Sequence, residues 1–273
     1  NSPPSSCVNV KHYNASCYDF EFMALHVEWR GKHQHLPDHN VLLIAFPGIG
    51  NIGKVAIETI RKLDGTTEVA RLHPTGLPPL ASLDDDGLLA PPHLSLNQTI
   101  NQDGVSILTL VGSAQPNEPS QQSGMATELM QFFKAQNVHD LLVLAGMIDA
   151  PERKVTFAVA SSASHRIDLE QMGVDVRRDE PSSGAIGVTA LLASMGPLYG
   201  MNSTCIITTT VGSSGDILAS QRMIERIDDW FNLGLTLPKE GNEWLKKKLE
   251  AIAPKNSEDL VGELTASHDA FYI

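Results

Sequence analysis

Cysteine, positive charge, long apolar runs and the common catalytic motifs are all scarce or missing in this chain of 273 residues, and each shortage excludes something. The only cysteines are Cys7, Cys17 and Cys205, and no two form a C-x-x-C pair. Such a set neither staples a small fold nor builds a cysteine-rich zinc site, so the chain is read as belonging to a reducing cytoplasm. Lys and Arg number 20 against 32 Asp and Glu, a formal net charge of -12. An acidic surface argues against nucleic acid and against an anionic membrane, because both demand a basic face. No apolar run approaches the ~18–20 residues of a membrane span. Asn1-Ser2-Pro3-Pro4-Ser5-Ser6 carries neither a basic nor an apolar stretch, so no secretory signal is read there. Asn14-Ala15-Ser16, Asn97-Gln98-Thr99 and Asn202-Ser203-Thr204 fit the glycosylation pattern, and without an export signal they are read as chance matches. There is no G-x-S-x-G elbow, no G-x-x-x-x-G-K-[ST] phosphate loop and no H-E-x-x-H; Gly212-Ser213-Ser214-Gly215 has the wrong spacing. His73, His93, His139 and His165 are scattered and read as surface or structural histidines.

What is present begins at Val41. Val41-Leu42-Leu43-Ile44-Ala45-Phe46 is an apolar run that ends at Pro47. Gly48, Gly50 and Gly53 follow at G-x-G-x-x-G spacing, with Asn51 between them. Ile52, Val55, Ala56 and Ile60 then repeat at helical spacing. Strand, tight glycine turn and helix make the opening unit of a parallel α/β domain. Read alone, the turn is a dinucleotide fingerprint, and a nucleotide- or small-molecule-binding enzyme using residues 48–53 is the alternative function carried forward. That reading needs an acid about 20 residues on, at the end of the second strand. Glu68 has the spacing but falls inside its strand, with Val69 to Leu72 still to come. Pro47 also stiffens the backbone where the fingerprint has a small flexible residue.

Strand and helix patterns alternate from residue 41 to 232, which predicts a three-layer α/β/α domain on a mostly parallel sheet. An early strand is expected within Phe20–Trp29, and others at 66–72, 105–111, 140–147, 155–160 and 203–210. Helices are expected at 52–60, 124–136, 164–172, 188–199 and 216–232. Leu80 to Leu96 reads as an irregular hairpin turning at Asp84-Asp85-Asp86-Gly87. His33, His35, Asp38 and His39 crowd one loop, a set that suits a metal but is read as solvated surface, so no metal is assigned. The expected organisation is a poorly ordered N-terminus over 1–18, an α/β domain over 19–237, a C-terminal helix over 238–253 and a flexible tail over 254–273. That tail ends in Phe271-Tyr272-Ile273. Three large apolar residues at the end of a polar, acidic stretch have little to pack on at home.

Phe46-Pro47-Gly48-Ile49-Gly50-Asn51-Ile52-Gly53 resembles the opening signature of the PAC2 family, the proteasome assembly chaperone 2-like proteins, in which the proline is ordinary. Gly76-Leu77-Pro78-Pro79-Leu80-Ala81 with Leu88-Leu89-Ala90-Pro91-Pro92 is similar to the family's proline-rich hairpin. Leu142 to Met147 is similar to its glycine-ended strand, and Ser183-Gly184-Ala185-Ile186-Gly187 to its segment before a small-residue helix. The resemblance covers roughly residues 41–235. It implies a phosphorylase/hydrolase-like fold, homo-oligomers, and no established catalysis or cofactor. It also implies binding to 20S proteasome α-subunits through a C-terminal hydrophobic-Tyr-X tripeptide, a pattern that Phe271, Tyr272 and Ile273 fit. Pro47, Gly48, Gly50, Asn51 and Gly53 are then a structural turn or a ligand pocket, and the function expected is that of a non-enzymatic assembly chaperone.

Overall fold

The computed structural model describes residues 25–83, 87–182, 184–212 and 215–235. The expectations for 1–18, for the helix at 238–253 and for the tail at 254–273 with Phe271, Tyr272 and Ile273 lie outside the described residues.

In chain order, the strands that build the main sheet are β1 (His26–Trp29), β2 (Val41–Ala45), β3 (Thr66–His73), β6 (Leu94–Ile100), β7 (Ser106–Gly112), β8 (Asp140–Ile148), β9 (Thr156–Ala160) and β10 (Asn202–Thr210). The short pair β4 (Ser82–Leu83) and β5 (Leu89–Ala90) stands apart as its own ribbon. The helices are α1 (Ile52–Ile60), α2 (Pro119–Ala135), α3 (Ala163–Gln171), α4 (Val188–Tyr199) and α5 (Ile217–Phe231). Across the sheet the order is β1-β3-β6-β7-β2-β8-β10-β9. The central four strands β7, β2, β8 and β10 pair in parallel. The flanking pairs β1–β3, β3–β6, β6–β7 and β10–β9 are antiparallel.

All five residues of β2 are buried, as a strand covered on both faces requires. Their alternation sorts them. Leu42 and Ile44 join the cluster beneath α2 and α4, while Val41, Leu43 and Ala45 join the one beneath α1 and α5. α1 and α5 meet through Ile52, Ala56, Ile57 and Ile60 on one helix and Ala219, Met223, Ile224 and Ile227 on the other. On the opposite face, α2 contributes Met125, Ala126, Leu129, Met130 and Phe133, and α4 contributes Val188 and Leu192. The layers are therefore helix, sheet and helix.

Two elements differ from the sequence reading. Leu94–Ile100 is a full strand of the main sheet rather than the return arm of a hairpin. Its polar residues Asn97, Gln98 and Thr99 are buried, which breaks the apolar signal expected of a buried strand. Gln98 donates from Nε2 to Ser106 Oγ at 2.8 Å, and the Thr66 and Thr99 hydroxyls lie 2.8 Å apart. α2 also starts five residues earlier than its apolar spacing suggests, with Pro119 in the first helical turn, where a missing N–H costs nothing.

Candidate functional site: the glycine turn and the groove beside the fourth helix

Pro47 ends β2, and the chain enters one 3-10 turn, Ile49–Asn51, before α1. Gly48 is extended; its carbonyl accepts from the Asn51 N–H at 2.9 Å, and its own N–H donates to Asn51 Oδ1 at 3.4 Å. Gly50 has φ +63°, a left-handed conformation that favours glycine. A Cβ on Gly50 would stand 3.2 Å from both Thr210 Cγ2 and Ile52 Cγ1. One on Gly53 would stand 2.5 Å from the Leu144 carbonyl oxygen, and one on Gly146 would collide with the Ile49 carbonyl. The glycines thus let the turn and the start of α1 lie directly on β8.

The turn is tied to its surroundings through its own backbone. Gly50 O accepts from Gly215 N at 3.1 Å and from Asp216 N at 3.0 Å. Asp216 in turn caps α5, accepting from Ala219 N at 2.9 Å, and takes a second bond of 2.7 Å from Thr210 Oγ1. Pro47 O accepts from Gln115 Nε2 at 3.0 Å. Within the stretch Pro47 to Gly53, the close packing falls on Gly50 and Gly53.

Glu68 is placed elsewhere. It lies on β3, and β6 and β7 separate that strand from β2. Arg30 Nε at 3.3 Å and Arg71 Nε at 3.2 Å occupy its carboxylate. A dinucleotide fold needs this acid on the strand beside the first one. Glu68 is therefore not placed to meet a ribose at the glycine turn.

Histidines that the sequence scatters are partly gathered. His26 faces His73 across the β1–β3 pair, with ring centroids 5.5 Å apart, and His93 lies 5.9 Å from His73 on its other side. His73 donates from Nδ1 to the Pro92 carbonyl at 3.0 Å, and its Nε2 stands 3.6 Å from Glu28. No spacing in the sequence signals this column, because antiparallel pairing creates it. His35 and His39 border a cavity of about 500 Å³ together with Asp38, His139 and Asp140. Their Nδ1 atoms donate to the carbonyls of Leu36 and Pro37. Among the described residues no group of three or more His, Cys, Asp or Glu side chains is arranged to hold a metal ion. His165 is buried, with Nε2 2.7 Å from Thr204 Oγ1, and burial lowers its pKa below the ordinary imidazole value.

One further concavity was not legible in the sequence. It is a groove of about 910 Å³ over β9 and β10, walled by α4, the first turns of α2 and residues 178–182 and 184–187. Its floor holds Val159, Cys205 and Ile207, and Ile186 projects from its wall 96% exposed. Burial pushes the Cys205 thiol up to about 12, which removes it as a nucleophile at neutral pH. Arg153 braces the segment near this wall, with one nitrogen on Asp149 at 2.7 Å and the other on both Glu180 oxygens at 2.6 Å. Among the described residues no helix is long and apolar enough to cross a membrane.

A mixed sheet with a parallel centre, helices on both faces and a glycine turn packed on the neighbouring strand define an α/β domain of the three-layer class. Residues 42–255 match the PAC2 family, and the chain belongs to that family. Solved structures are similar to it over most of its length. Pyrococcus furiosus PbaB, an archaeal proteasome activator, matches with a TM-score of 0.69 and 16% identity, over 84% of this chain and 97% of that one. Pyrococcus furiosus PbaA, an archaeal homolog of proteasome-assembly chaperone, gives 0.64 and 19%, over 84% and 96%. A proteasome-assembly chaperone homologue from Mycobacterium tuberculosis gives 0.58 and 17%, over 80% and 97%. At these identities the likeness shows the fold. A comparison with curated proteins finds no match.

Proposed function

We propose that this chain is a non-enzymatic, chaperone-like partner of the 20S proteasome core particle. It acts as a homo-oligomer in the cytoplasm and binds the α-ring through Phe271, Tyr272 and Ile273. The observation that carries the proposal is the hydrophobic-Tyr-X pattern of Phe271, Tyr272 and Ile273 in a PAC2-family chain. The names of its structural neighbours, a proteasome activator and two assembly-chaperone homologues, support the same reading.

The chemistry is simple. Two aromatic side chains bury apolar area in a pocket between adjacent α-subunits, and the terminal carboxylate pairs with a lysine there. A single tripeptide binds weakly; several tails on one oligomer, presented to one ring, gain through effective concentration. The glycine turn has a structural role in this account, since its backbone is engaged by Gln115, Gly215 and Asp216.

Co-purification with 20S particles tests the mode of binding. Tyr272→Ala and a chain extended by one glycine after Ile273 should both lose the particle, the second because its carboxylate is displaced while every side chain remains. Retention by the extended chain would remove the carboxylate from the mechanism.

A further inference from the structure

We propose that the cavity between α5 and the start of β9 binds a phosphate-bearing small molecule, held by Lys154 and Arg222. The site belongs to the α/β domain and does not depend on the tail contact proposed above.

The sequence of α5 builds one wall. Arg222, Arg226 and Trp230 recur every four residues and so share one face of the helix, while Ala219, Met223, Ile224 and Ile227 turn to the core. The chain entering β9 builds the facing wall with Lys154, Val155 and Thr156, and Gly173 and Asp175, beyond α3, line a third side. Together they enclose about 570 Å³, a volume within the range of small-molecule sites. Thr209 joins the first two walls. Val155 N donates to its Oγ1 at 3.0 Å, and Arg222 Nη2 donates to its carbonyl at 2.9 Å. Thr209 stands at the carboxyl end of β10, the end of a parallel strand at which α/β proteins seat their ligands.

The charges around this cavity are unevenly matched. Asp175 has both oxygens on Arg177, each at 2.8 Å. Glu225 accepts from Gln221 Nε2 at 2.9 Å, and Asp229 lies 3.5 Å from Arg226 Nη1. All three acids are therefore engaged, and they form no metal-holding group. Two of the cations are not engaged by any acid. Lys154 is exposed and has no ion pair among the described residues. Arg222 is half-buried, and its situation is unusual. Among the described residues every other arginine except Arg61 is paired with a carboxylate, and Arg61 still has Glu68 and Glu58 close by. Arg222 has only the neutral Thr209 carbonyl, and its buried Nε has no acceptor among the described residues. A guanidinium carries five N–H donors and a permanent charge, so a single carbonyl leaves it poorly satisfied.

Two unmatched cations on one cavity select an anion. A phosphate ester brings close to two negative charges on three terminal oxygens, which suits one guanidinium and one ammonium together. With Nη2 occupied and Nε buried, Nη1 is the Arg222 nitrogen left to meet it. A carboxylate would bring only one charge. Trp230 supplies an apolar, planar wall for the organic part of the ligand. The net charge of -12 does not oppose this strongly, because at physiological salt fields are screened beyond ~8 Å and the nearest cations decide.

Isothermal titration calorimetry of the full chain at physiological salt tests the assignment, with inorganic phosphate, adenosine monophosphate and adenosine as probes. Both phosphates should bind saturably and adenosine should not. Lys154→Gln should weaken both phosphates by ~10-fold or more, the order expected for one lost charge-assisted hydrogen bond. Lys154 is exposed, so this variant keeps the fold. Arg222→Gln should weaken them as much, and Arg222→Lys, which keeps the charge without the planar fork, should weaken them less. Lys134→Gln removes an equally exposed charge on α2 and should change nothing. No saturable heat with either phosphate at millimolar concentrations would overturn the proposal. So would an affinity that Lys154→Gln leaves at the wild-type value, or one that Lys134→Gln lowers as much. Equal binding of adenosine and adenosine monophosphate would overturn the choice of phosphate.

Discussion

Gly53 and Gly124 are the same residue on two helices under opposite constraints. A Cβ on Gly53 would stand 2.5 Å from the Leu144 carbonyl oxygen, whereas one on Gly124 meets nothing within 4 Å. Gly53→Ala must push α1 off β8, an overpacking that costs ~1–3 kcal/mol. Gly124→Ala should stabilise by ~0.5–1 kcal/mol, because alanine loses less backbone entropy in a helix. Urea denaturation of both variants checks the sign of each change. His165 makes a second prediction. Its folded-state pKa is lowered, chiefly by burial, so below the ordinary value of 6.5 the unfolded chain takes up a proton that the folded one refuses. Its contribution to stability is fully present above that pH and is lost as the pH falls through and below it. Wild-type protein should therefore lose more stability between neutral pH and pH ~5 than His165→Gln does. Equal losses would show that His165 titrates alike in both states. At this scale the turn was legible, because Pro47 and the glycines lie within seven residues, and Gly50 and Gly53 have a backbone or packing reason to be glycine. The histidine column and the groove were not, because strand pairing and helix placement assemble them from distant segments.

Among the elements, α5 depends on one residue that also secures the turn. Asp216 caps the helix through Ala219 N, accepts from Thr210 Oγ1, and offers its own N–H to Gly50 O. Asp216→Ala should cost ~1–2 kcal/mol, at the upper end for a cap because the Thr210 bond goes as well. Asp216→Asn should recover most of that loss, since asparagine caps about as well. Thermal melting of the two variants separates these outcomes, and equal melting temperatures for alanine and asparagine would show that capping is not what Asp216 contributes. Helices α1, α3, α4 and α5 were readable within a residue or so from apolar spacing, with Ser162 and Asp216 in place as caps. The strand β6 was hidden because Asn97, Gln98 and Thr99 are buried polar residues, two of them, Gln98 and Thr99, bonded to polar partners inside the sheet. The start of α2 was hidden because its first turn, Pro119 to Gln122, carries no buried apolar residue.

At the level of the whole molecule, the three-layer class followed from alternating patterns, and the parallel centre of the sheet followed with it. The antiparallel flanks did not. Their direction depends on how β1, β3, β6 and β9 return along the edges, and alternation alone does not encode that. The proposed function also belongs to this scale. Under it, engagement of the proteasome uses Phe271, Tyr272 and Ile273, so substitutions within the described α/β domain that keep its fold should leave that contact's chemistry intact. The most direct measurement is equilibrium binding of the full chain to purified 20S core particles, run beside the chain lacking Phe271, Tyr272 and Ile273. The account predicts saturable binding by the full chain and a loss of at least ~100-fold in affinity on deletion, with the oligomeric mass unchanged. Equal binding by both chains would contradict it.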